Sequence, residues 1–416
     1  MSHQEEMSHK VAGIDVHKSM LAVVVWDVAA EGEPRFERYK CGTVASELKG
    51  LTQWLMARQV REAVMESTAQ YWKPVWRALE GQFELHLAQA HSNRAPRGRK
   101  GDFRDAERLV RRYVANELIL SFVPDAEQRL WRTLTRTKQQ LTRDRVRLHN
   151  QLEAFLEDAH IKLSSCVSDL LGVSSRRMLE GLAQGQTDAA ALAAQAEPEL
   201  RATPEELTDA LSAAPRLSGL QRQILHLFLE RADLIERQIA TLQQTLASAM
   251  QSHQQAVMRL AAVPGFGVDS AQQAIAEVGP AADTFASGEE MASWVGVCPG
   301  REESAEVSKS NRSPKGNRPM RRLLNQVAQS AVRAKGSIFE AQYRRLVPRL
   351  GHHKTIWAIA HRLCRLAWLI LHKRVEYFEH GASRDPKAIA KRTTKLIRAL
   401  RALGYQVIPP KASVVA

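Results

Sequence analysis

Four carboxylates stand where a chain could use them together. Asp15 closes the apolar run in Gly13-Ile14-Asp15-Val16-His17-Lys18, and Glu66 closes another in Val64-Met65-Glu66-Ser67-Thr68. Asp102 and Asp105 lie three apart, which puts them on one face of a helix. Strand ends are where an open α/β sheet exposes its functional groups. Four carboxylates gathered there repel one another, and divalent cations relieve the repulsion. Two Mg²⁺ or Mn²⁺ ions roughly 4 Å apart can activate a nucleophile and stabilise the leaving oxygen of a phosphodiester. Taken singly, each carboxylate has a plainer role: Asp102 as an N-cap, Asp105 as a partner of the helix dipole, Asp15 as a turn residue.

Two further stretches carry chemistry. Val263-Pro264-Gly265-Phe266-Gly267 sits between helical patterns, and such a turn can present backbone N–H groups to a phosphate, with Gly265 and Gly267 allowing the approach. Its plainer role is an interhelical turn. Gly296-Val297-Cys298-Pro299 opens a basic loop in which residues 301–322 hold seven Lys or Arg against three Glu, among them Lys309, Arg312, Lys315, Arg318 and Arg321. Basic residues interleaved with Ser and Gly suit phosphate contacts. A serine there becomes a nucleophile if a base or metal activates it, and spacing alone does not choose among Ser304, Ser308 and Ser310. His352 and His353 are adjacent and cannot share a helix face, and His91 lies in a basic loop. The histidines therefore read as surface or phosphate-facing groups, not ligands. Trp72, Trp76, Trp131 and Trp294 read as core.

Elements must position these groups. Val11–Val16 and Leu21–Val28 read as strands joined by a turn at His17–Ser19, with Arg35–Val44 a third. Ser46–Arg58 is a helix with Ser46 as N-cap, Arg61–Glu66 a strand, Lys73–Glu80 a helix and Phe83–Gln89 a strand. This implies a mixed sheet with helices packed on it. A Pro/Gly/Arg loop carrying Arg97, Arg99 and Lys100 follows, and a helix runs from Asp102 to about Leu118. Asp125 to about Lys162 reads as one long helix, with Leu134, Leu141, Leu148 and Phe155 every seven residues. Gly219–Leu260 reads as a second, in which Leu225, Phe228, Ala232, Ile235, Ile239, Leu242 and Leu246 form a coiled-coil seam. The two could pair with each other or with another subunit. Thr203-Pro204-Glu205-Glu206 starts a helix between them, and Ala183–Gln195 reads as weakly patterned and partly flexible. Helices resume from about Pro319 to Glu379, and the tail carries a basic amphipathic helix over Lys387–Arg401.

The chain has 416 residues, 44% of them hydrophobic and 6% aromatic. This excludes wholesale disorder and suits two or three domains with a helical bias. Lys and Arg number 59 against 45 acids, a net charge of +14, which points to a polyanionic partner and first to nucleic acid. Four dispersed cysteines support neither a zinc knuckle nor a disulfide framework. The polar start is not a signal peptide, and the longest apolar stretch is interrupted by His361, Arg362 and Arg365, so no membrane partner is expected and the location reads as cytoplasmic, in association with the nucleoid.

In this order, the motifs around Asp15, Glu66, Asp102 and Asp105, then Val263–Gly267, Trp294–Pro299, and Lys315-Gly316-Asn317 before Arg321-Arg322-Leu323-Leu324, resemble the DEDD-type insertion-sequence transposases. These are relatives of the Piv-type DNA invertases, also described as bridge-RNA-guided recombinases. The resemblance covers about residues 11–380. It implies an RNase H-like (RuvC-type) catalytic domain over 9–122, a helical coiled-coil dimerisation region over 123–256, a helical transposase domain with a helix-hairpin-helix-like turn and a serine loop over 257–380, and a basic tail over 381–416. The family's metal residues fall on Asp15, Glu66, Asp102 and Asp105, and its nucleophile, five residues after the Pro of Gly-x-x-Pro, on Ser304. The family usually has Gly after that serine; here Ala305 follows.

The resemblance implies Mg²⁺-dependent excision and integration of an element through a phosphoserine bond. It also implies a structured non-coding guide RNA, and a homo-oligomer, dimer to tetramer, whose active centre is built from different subunits. The competing readings are a metal-dependent RuvC-like nuclease in which water attacks, and a nucleic-acid scaffold without catalysis. The basic loop, the tail and a stripe of Arg136, Lys138, Arg143, Arg145 and Arg147 would hold nucleic-acid backbones.

Overall fold

The computed structural model describes residues 9–29, 35–66, 69–90, 93, 101–298, 302–304, 307–310, 313, 315–379, 394, 397, 398 and 401, with the backbone alone at 302–304 and 307–310. The tail helix expected over 387–401 and the loop residues Arg97, Arg99, Lys100 and Arg312 lie outside the described residues, apart from 394, 397, 398 and 401. The chain forms two compact units, Met1–Pro124 and Asp125–Ala416.

The first unit is built on β1 (Lys10–Val16), β2 (Met20–Asp27), β3 (Phe36–Gly42), α1 (Ala45–Ala57), β4 (Glu62–Glu66), α2 (Trp72–Leu79), β5 (Glu84–Ala88), α3 (Asp102–Val114) and the short β6 (Leu120–Ser121). The sheet order is β3-β2-β1-β4-β5-β6. The pairs β1–β2, β2–β3 and β5–β6 are antiparallel; β1–β4 and β4–β5 are parallel. A meander followed by parallel crossovers, with helices on the sheet, fits an RNase H-like α/β domain. Strand periodicity divides the core. Ala12, Ile14, Val16 and Met65 pack with Leu48, Leu51 and Leu55 of α1 and Val75 and Leu79 of α2. Val11, Val24 and Val64 pack with Ala106, Leu109 and Val110 of α3 on the other face. The N-cap of α1 is Val44 and not Ser46: the Glu47 and Leu48 amides both donate to the Val44 carbonyl.

The second unit is helical: α4 (Ala126–Asp158), α5 (Leu163–Cys166), α6 (Val173–Ala183), α7 (Ala189–Ala193), α8 (Pro204–Ala210), α9 (Gly219–Ala249), α10 (Gln254–Ala261), α11 (Val268–Val278), α12 (Gly288–Val295), α13 (Arg318–Ala331) and α14 (Ile338–Lys373), with a two-stranded hairpin, β7 (Glu302–Ser304) and β8 (Val307–Ser310), before α13. The predicted seam residues serve an antiparallel pairing of α4 with α9 inside the chain. Trp131 Nε1 donates to the Ala249 carbonyl at 3.2 Å, Arg145 meets Glu236 at 3.0 Å, and the Phe155 and Phe228 rings lie 5.6 Å apart. Leu148, Leu152 and Leu156 are buried there with Leu225, Leu229, Ala232 and Ile235.

The second long helix is shorter than the periodicity predicts. It ends at Ala249, and a 3-10 turn at Gln251–His253 leads into α10, because Leu246 and Met250 enter a separate core formed by α10 to α14. Ala183–Gln195, read from the sequence as weakly patterned and partly flexible, contains the helix α7: Asp188 caps it, and Leu192 and Ala193 are buried. The capping box of Thr203 and Glu206 forms as the sequence predicts and stabilises α8 by about 1 kcal/mol. Pro348 lies within α14, and the helix kinks at Gly351, where φ is 74°. No described helix is long and apolar enough to cross a membrane.

Candidate active site

The carboxylate centre arises from the way α3 lies on the sheet. Asp15 is in β1 on the same face as Val11 and Gly13, the face that α3 covers. A Cβ at Gly13 would lie 2.3 Å from Val110 Cγ2 and 2.6 Å from the Ala106 carbonyl oxygen, so only glycine lets α3 come this close. At the far end of α3, Tyr113 donates its hydroxyl proton to Glu62 at the start of β4. The helix therefore runs against the strand direction, and its first turn, with Asp102 and Asp105, reaches the ends of β1 and β4. The β1–β4 register pairs Gly13 with Val64 and Ile14 with Met65, so Asp15 and Glu66 each follow the last paired residue of their strand, whereas the close cluster itself joins Asp15, His17 and Asp102.

The electrostatics agree with this convergence. Burial pushes the Asp15 carboxyl above the usual carboxylate range, and the charges of Asp105 and Asp102 push it further, while His17 pulls it down. The surroundings thus disfavour the charged form of Asp15. His17 Nε2 lies 3.1 Å from Asp15 Oδ2 and 3.6 Å from Asp102 Oδ1. One donor atom from each of Asp15, His17 and Asp102 falls within 4.8 Å of the others, a set that could hold a metal ion. Arg108 Nη1 donates to Asp105 Oδ1 at 2.8 Å and steers that carboxylate. Asn93, 3% exposed, donates Nδ2 to Glu66 Oε2 at 2.8 Å, and its buried Oδ1 has no partner among the described residues. Mutually repelling carboxylates, an imidazole between two of them and an orphaned buried oxygen beside a third form a donor set that fits a divalent cation.

His17 and Asn93 are the residues that sequence reasoning missed. The period of two between Asp15 and His17 was the available signal for the first. His17 lies where it could serve as a ligand, a position that the reading of the histidines as surface or phosphate-facing groups did not single out. Asn93 stands in a basic loop and carries no comparable signal.

The second centre lies in the second unit. Gly296 ends α12 with φ 78° and ψ 32°, and its amide and that of Val297 donate to the Ala292 carbonyl. Beyond it, β7 and β8 pair antiparallel, with Ser304 at the end of β7 opposite Val307; Ser308 and Ser310 lie on the returning strand. Lys309 is in β8.

The base of this hairpin is clamped. A Cβ at Gly316 would lie 2.0 Å from the Val295 carbonyl oxygen, and the Asn317 amide donates to the Trp294 carbonyl at 3.2 Å. Arg321 donates to the Gly296 carbonyl and to Ser313 Oγ, 3.1 Å away, and its guanidinium lies 4.8 Å from the Trp357 ring centre. Asn317 caps α13 by accepting from the Met320 amide at 2.9 Å and donates to Glu277 Oε2 at 3.0 Å. Glu277, 3% exposed, is held in turn by both arms of Arg136 at 2.9 Å.

The predicted phosphate contacts divide accordingly. Lys315 and Arg318 are exposed, whereas Arg321 braces the hairpin. Gly265, with φ 92°, is packed on α13: a Cβ there would lie 2.4 Å from the Val327 carbonyl oxygen. Gly267 is open, and its amide donates to Ser270 Oγ at 2.7 Å. Of the basic stripe on α4, Arg136 meets Glu277, Lys138 meets Asp269, Arg145 meets Asp169 and Glu236, and Arg147 meets Asp144. Arg136, Lys138 and Arg145 thus tie α4 to other segments of the unit, contrary to the expectation that they face a nucleic-acid backbone, whereas Arg147 pairs within α4 and stays exposed.

An acidic centre on such a sheet, followed by a basic serine hairpin in a helical unit, defines an enzyme that acts on phosphodiesters. The comparisons agree. Residues 12–161 match a family model described as a transposase, of the DEDD type, and residues 257–344 match the model described as the transposase IS116/IS110/IS902 family. Together the two matches span more than half of the chain. No curated protein matches it. The chain belongs to this family: it is a DEDD-type insertion-sequence transposase, a DNA-acting recombinase.

Proposed function

We propose that the chain excises and integrates its element by divalent-metal-dependent strand cleavage and exchange through a phosphoserine intermediate on Ser304, guided by a structured non-coding RNA. The convergence of Asp15, His17 and Asp102, with Asp105 close enough to act on Asp15, carries this reading, because among the described residues it is the group of acids and histidine that could hold a metal ion.

Asp15, Glu66, Asp102 and Asp105 would hold Mg²⁺ or Mn²⁺, with Asn93 orienting Glu66. A cation held by these residues would supply Lewis-acid stabilisation of the charge that develops on the scissile phosphate. The chain's own residues supply the rest. Ser304 Oγ forms a bond to phosphorus as the bond to a deoxyribose oxygen breaks. The hydroxyl proton is lost to solvent or a carboxylate, and the departing oxygen gains one. The phosphodiester energy stays in the serine ester, so a second strand's hydroxyl can reverse the step on a new partner. Lys315 and Arg318 contact DNA phosphates without reading sequence, which is left to the guide RNA. A homo-oligomer, dimer to tetramer, brings serine and carboxylates to the same phosphate, with the α4–α9 pair as the coiled-coil dimerisation element and α10–α11 as a helix-hairpin-helix-like DNA contact.

The test is to place the gene with its native flanks in a heterologous cell and amplify across the excised-circle junction. The reading expects the junction from the wild type and its loss in Asp15→Ala and Ser304→Ala. A junction that survives Ser304→Ala transfers the role to Ser308 or Ser310. Ala305, where the family usually has Gly, keeps one other reading in play, a RuvC-like nuclease in which water attacks. That reading expects cleaved DNA with no junction and no dependence on Ser304.

A further inference from the structure

The carboxylate centre contains a group that four acids do not account for. His17 sits just past the end of β1, two residues beyond Asp15, so it projects on the same side. Its backbone is fixed on both flanks: the His17 amide donates to the Met20 carbonyl at 3.0 Å, and the next carbonyl, of Lys18, accepts from Thr43 Oγ1 at 3.0 Å. Its ring is half-exposed, yet Nε2 is directed between two carboxylates at 3.1 and 3.6 Å. Neighbouring donors around an octahedral ion with bonds of about 2.1 Å lie about 3 Å apart. The Asp15–His17 and His17–Asp102 separations are therefore close to those of adjacent ligands on one ion.

We infer that His17 is a nitrogen ligand of the carboxylate centre and that it makes the centre prefer Mn²⁺ over Mg²⁺. The inference rests on the metal-dependent reading above and adds to it the identity of the ion. Mg²⁺ favours oxygen donors and keeps its waters, whereas first-row transition ions gain more from imidazole. Replacing one oxygen donor by Nε2 therefore shifts the balance toward Mn²⁺ without excluding Mg²⁺. A neutral imidazole also adds no negative charge to a centre where Asp15, Asp102 and Asp105 already repel one another. The opposing role for His17 is that of a resident cation that neutralises the two carboxylates and must be displaced when a metal enters.

The experiment is a titration of the full-length protein with Mn²⁺, followed by electron paramagnetic resonance of the free ion, and with Mg²⁺ by competition. The wild type is compared with His17→Ala and Asp15→Asn. His17→Ala is expected to weaken Mn²⁺ about tenfold or more, on the scale of 10- to 100-fold seen when groups around a metal are removed, and to change Mg²⁺ much less. Pulsed measurement on the Mn²⁺-loaded wild type is expected to show coupling to a directly bonded ¹⁴N that His17→Ala abolishes.

Unchanged or tighter Mn²⁺ binding in His17→Ala, or ¹⁴N coupling that persists in it, overturns the ligand role in favour of the resident cation. Asp15→Asn separates the two levels of the argument. If it abolishes binding of both ions while His17→Ala leaves their ratio intact, only the inference about His17 fails. If it leaves both ions bound, the carboxylate centre itself is misassigned.

Discussion

Gly13 of β1 and Val110 of α3 set the width of the carboxylate centre. A methyl group at Gly13 would sit 2.3 Å from Val110 Cγ2 and 2.6 Å from the backbone oxygen of Ala106. Val110 could turn aside; the Ala106 carbonyl belongs to the helix and cannot. Gly13→Ala is therefore expected to push α3 off the sheet and carry Asp102 and Asp105 away from Asp15. Overpacking of this kind costs roughly 1–3 kcal/mol. Denaturant unfolding should register that loss, and a Mn²⁺ titration should show weaker binding than in the wild type even where the variant is folded.

Asp15→Asn should have opposite effects on stability and on metal binding. Burial and the neighbouring acids raise the Asp15 pKa, so its ionised form is disfavoured in the folded chain. For a carboxylate with a raised folded pKa the full cost is present above that pKa, declines as pH falls through it and is gone below the unfolded value. The metal-free Asp15→Asn protein is thus expected to melt slightly higher than the wild type at neutral pH and at the same temperature in acid. Metal binding by the wild type should weaken on acidification at a higher pH than an ordinary aspartate would dictate. A melting series across pH, with and without Mn²⁺, checks both; a lower melting temperature for the metal-free variant at neutral pH would contradict the account.

The elements holding Asp15, Glu66, Asp102 and Asp105 were legible because each follows or opens a run with clear periodicity. The near-continuous apolar residues of β1 and β2 read as central strands, and the paired acids read as a helix start. The features that turn these elements into a site were not legible. The role of His17 depends on how closely α3 approaches β1, which Gly13 permits but no local pattern reveals. β7 and β8 are three and four residues long in a basic, serine-rich stretch, with no apolar alternation to mark them. The basic stripe on α4 resembled a nucleic-acid face because its partners, Glu277 and Asp269 of α11, Glu236 of α9 and Asp169 between α5 and α6, are distant in sequence. Arg321 looked like a phosphate contact for the same reason: Gly296, Ser313 and Trp357 are brought to it only by folding.

Glu277 joins Arg136 to the cap of α13. Glu277→Ala leaves Arg132 and Arg136 facing a buried gap and frees Asn317 from one of its two partners. Removing one member of a buried ion pair typically costs 3–5 kcal/mol. Chemical denaturation should report a loss of that order, whereas Glu277→Gln, which keeps an acceptor for Asn317, should lose less. Equal losses in the two would mean that the Asn317 hydrogen bond is not part of what Glu277 supports.

Arg321→Lys should impair strand transfer while leaving Mn²⁺ binding at the carboxylates unchanged. Lysine keeps the charge but cannot reach the Gly296 carbonyl and Ser313 together while lying on Trp357. Lys315→Ala and Arg318→Ala should instead weaken DNA binding across all sequences. Removal of one phosphate-binding cation should lower the slope of log affinity against log salt by about 1. Filter binding over a salt series separates the two classes of residue; an Arg321→Lys slope that falls like theirs would assign Arg321 to DNA and not to the hairpin.

The most direct measurement is capture of the covalent intermediate. End-labelled DNA carrying an element end is incubated with the protein, the non-coding RNA proposed as its guide and Mn²⁺, stopped in denaturant and resolved by size, for the wild type, Ser304→Ala and Asp15→Asn. The account predicts a protease-sensitive protein–DNA band in the wild type alone, with the label on a peptide that contains Ser304. Cleavage without any such band, equally strong in Ser304→Ala, would contradict it and leave water as the nucleophile.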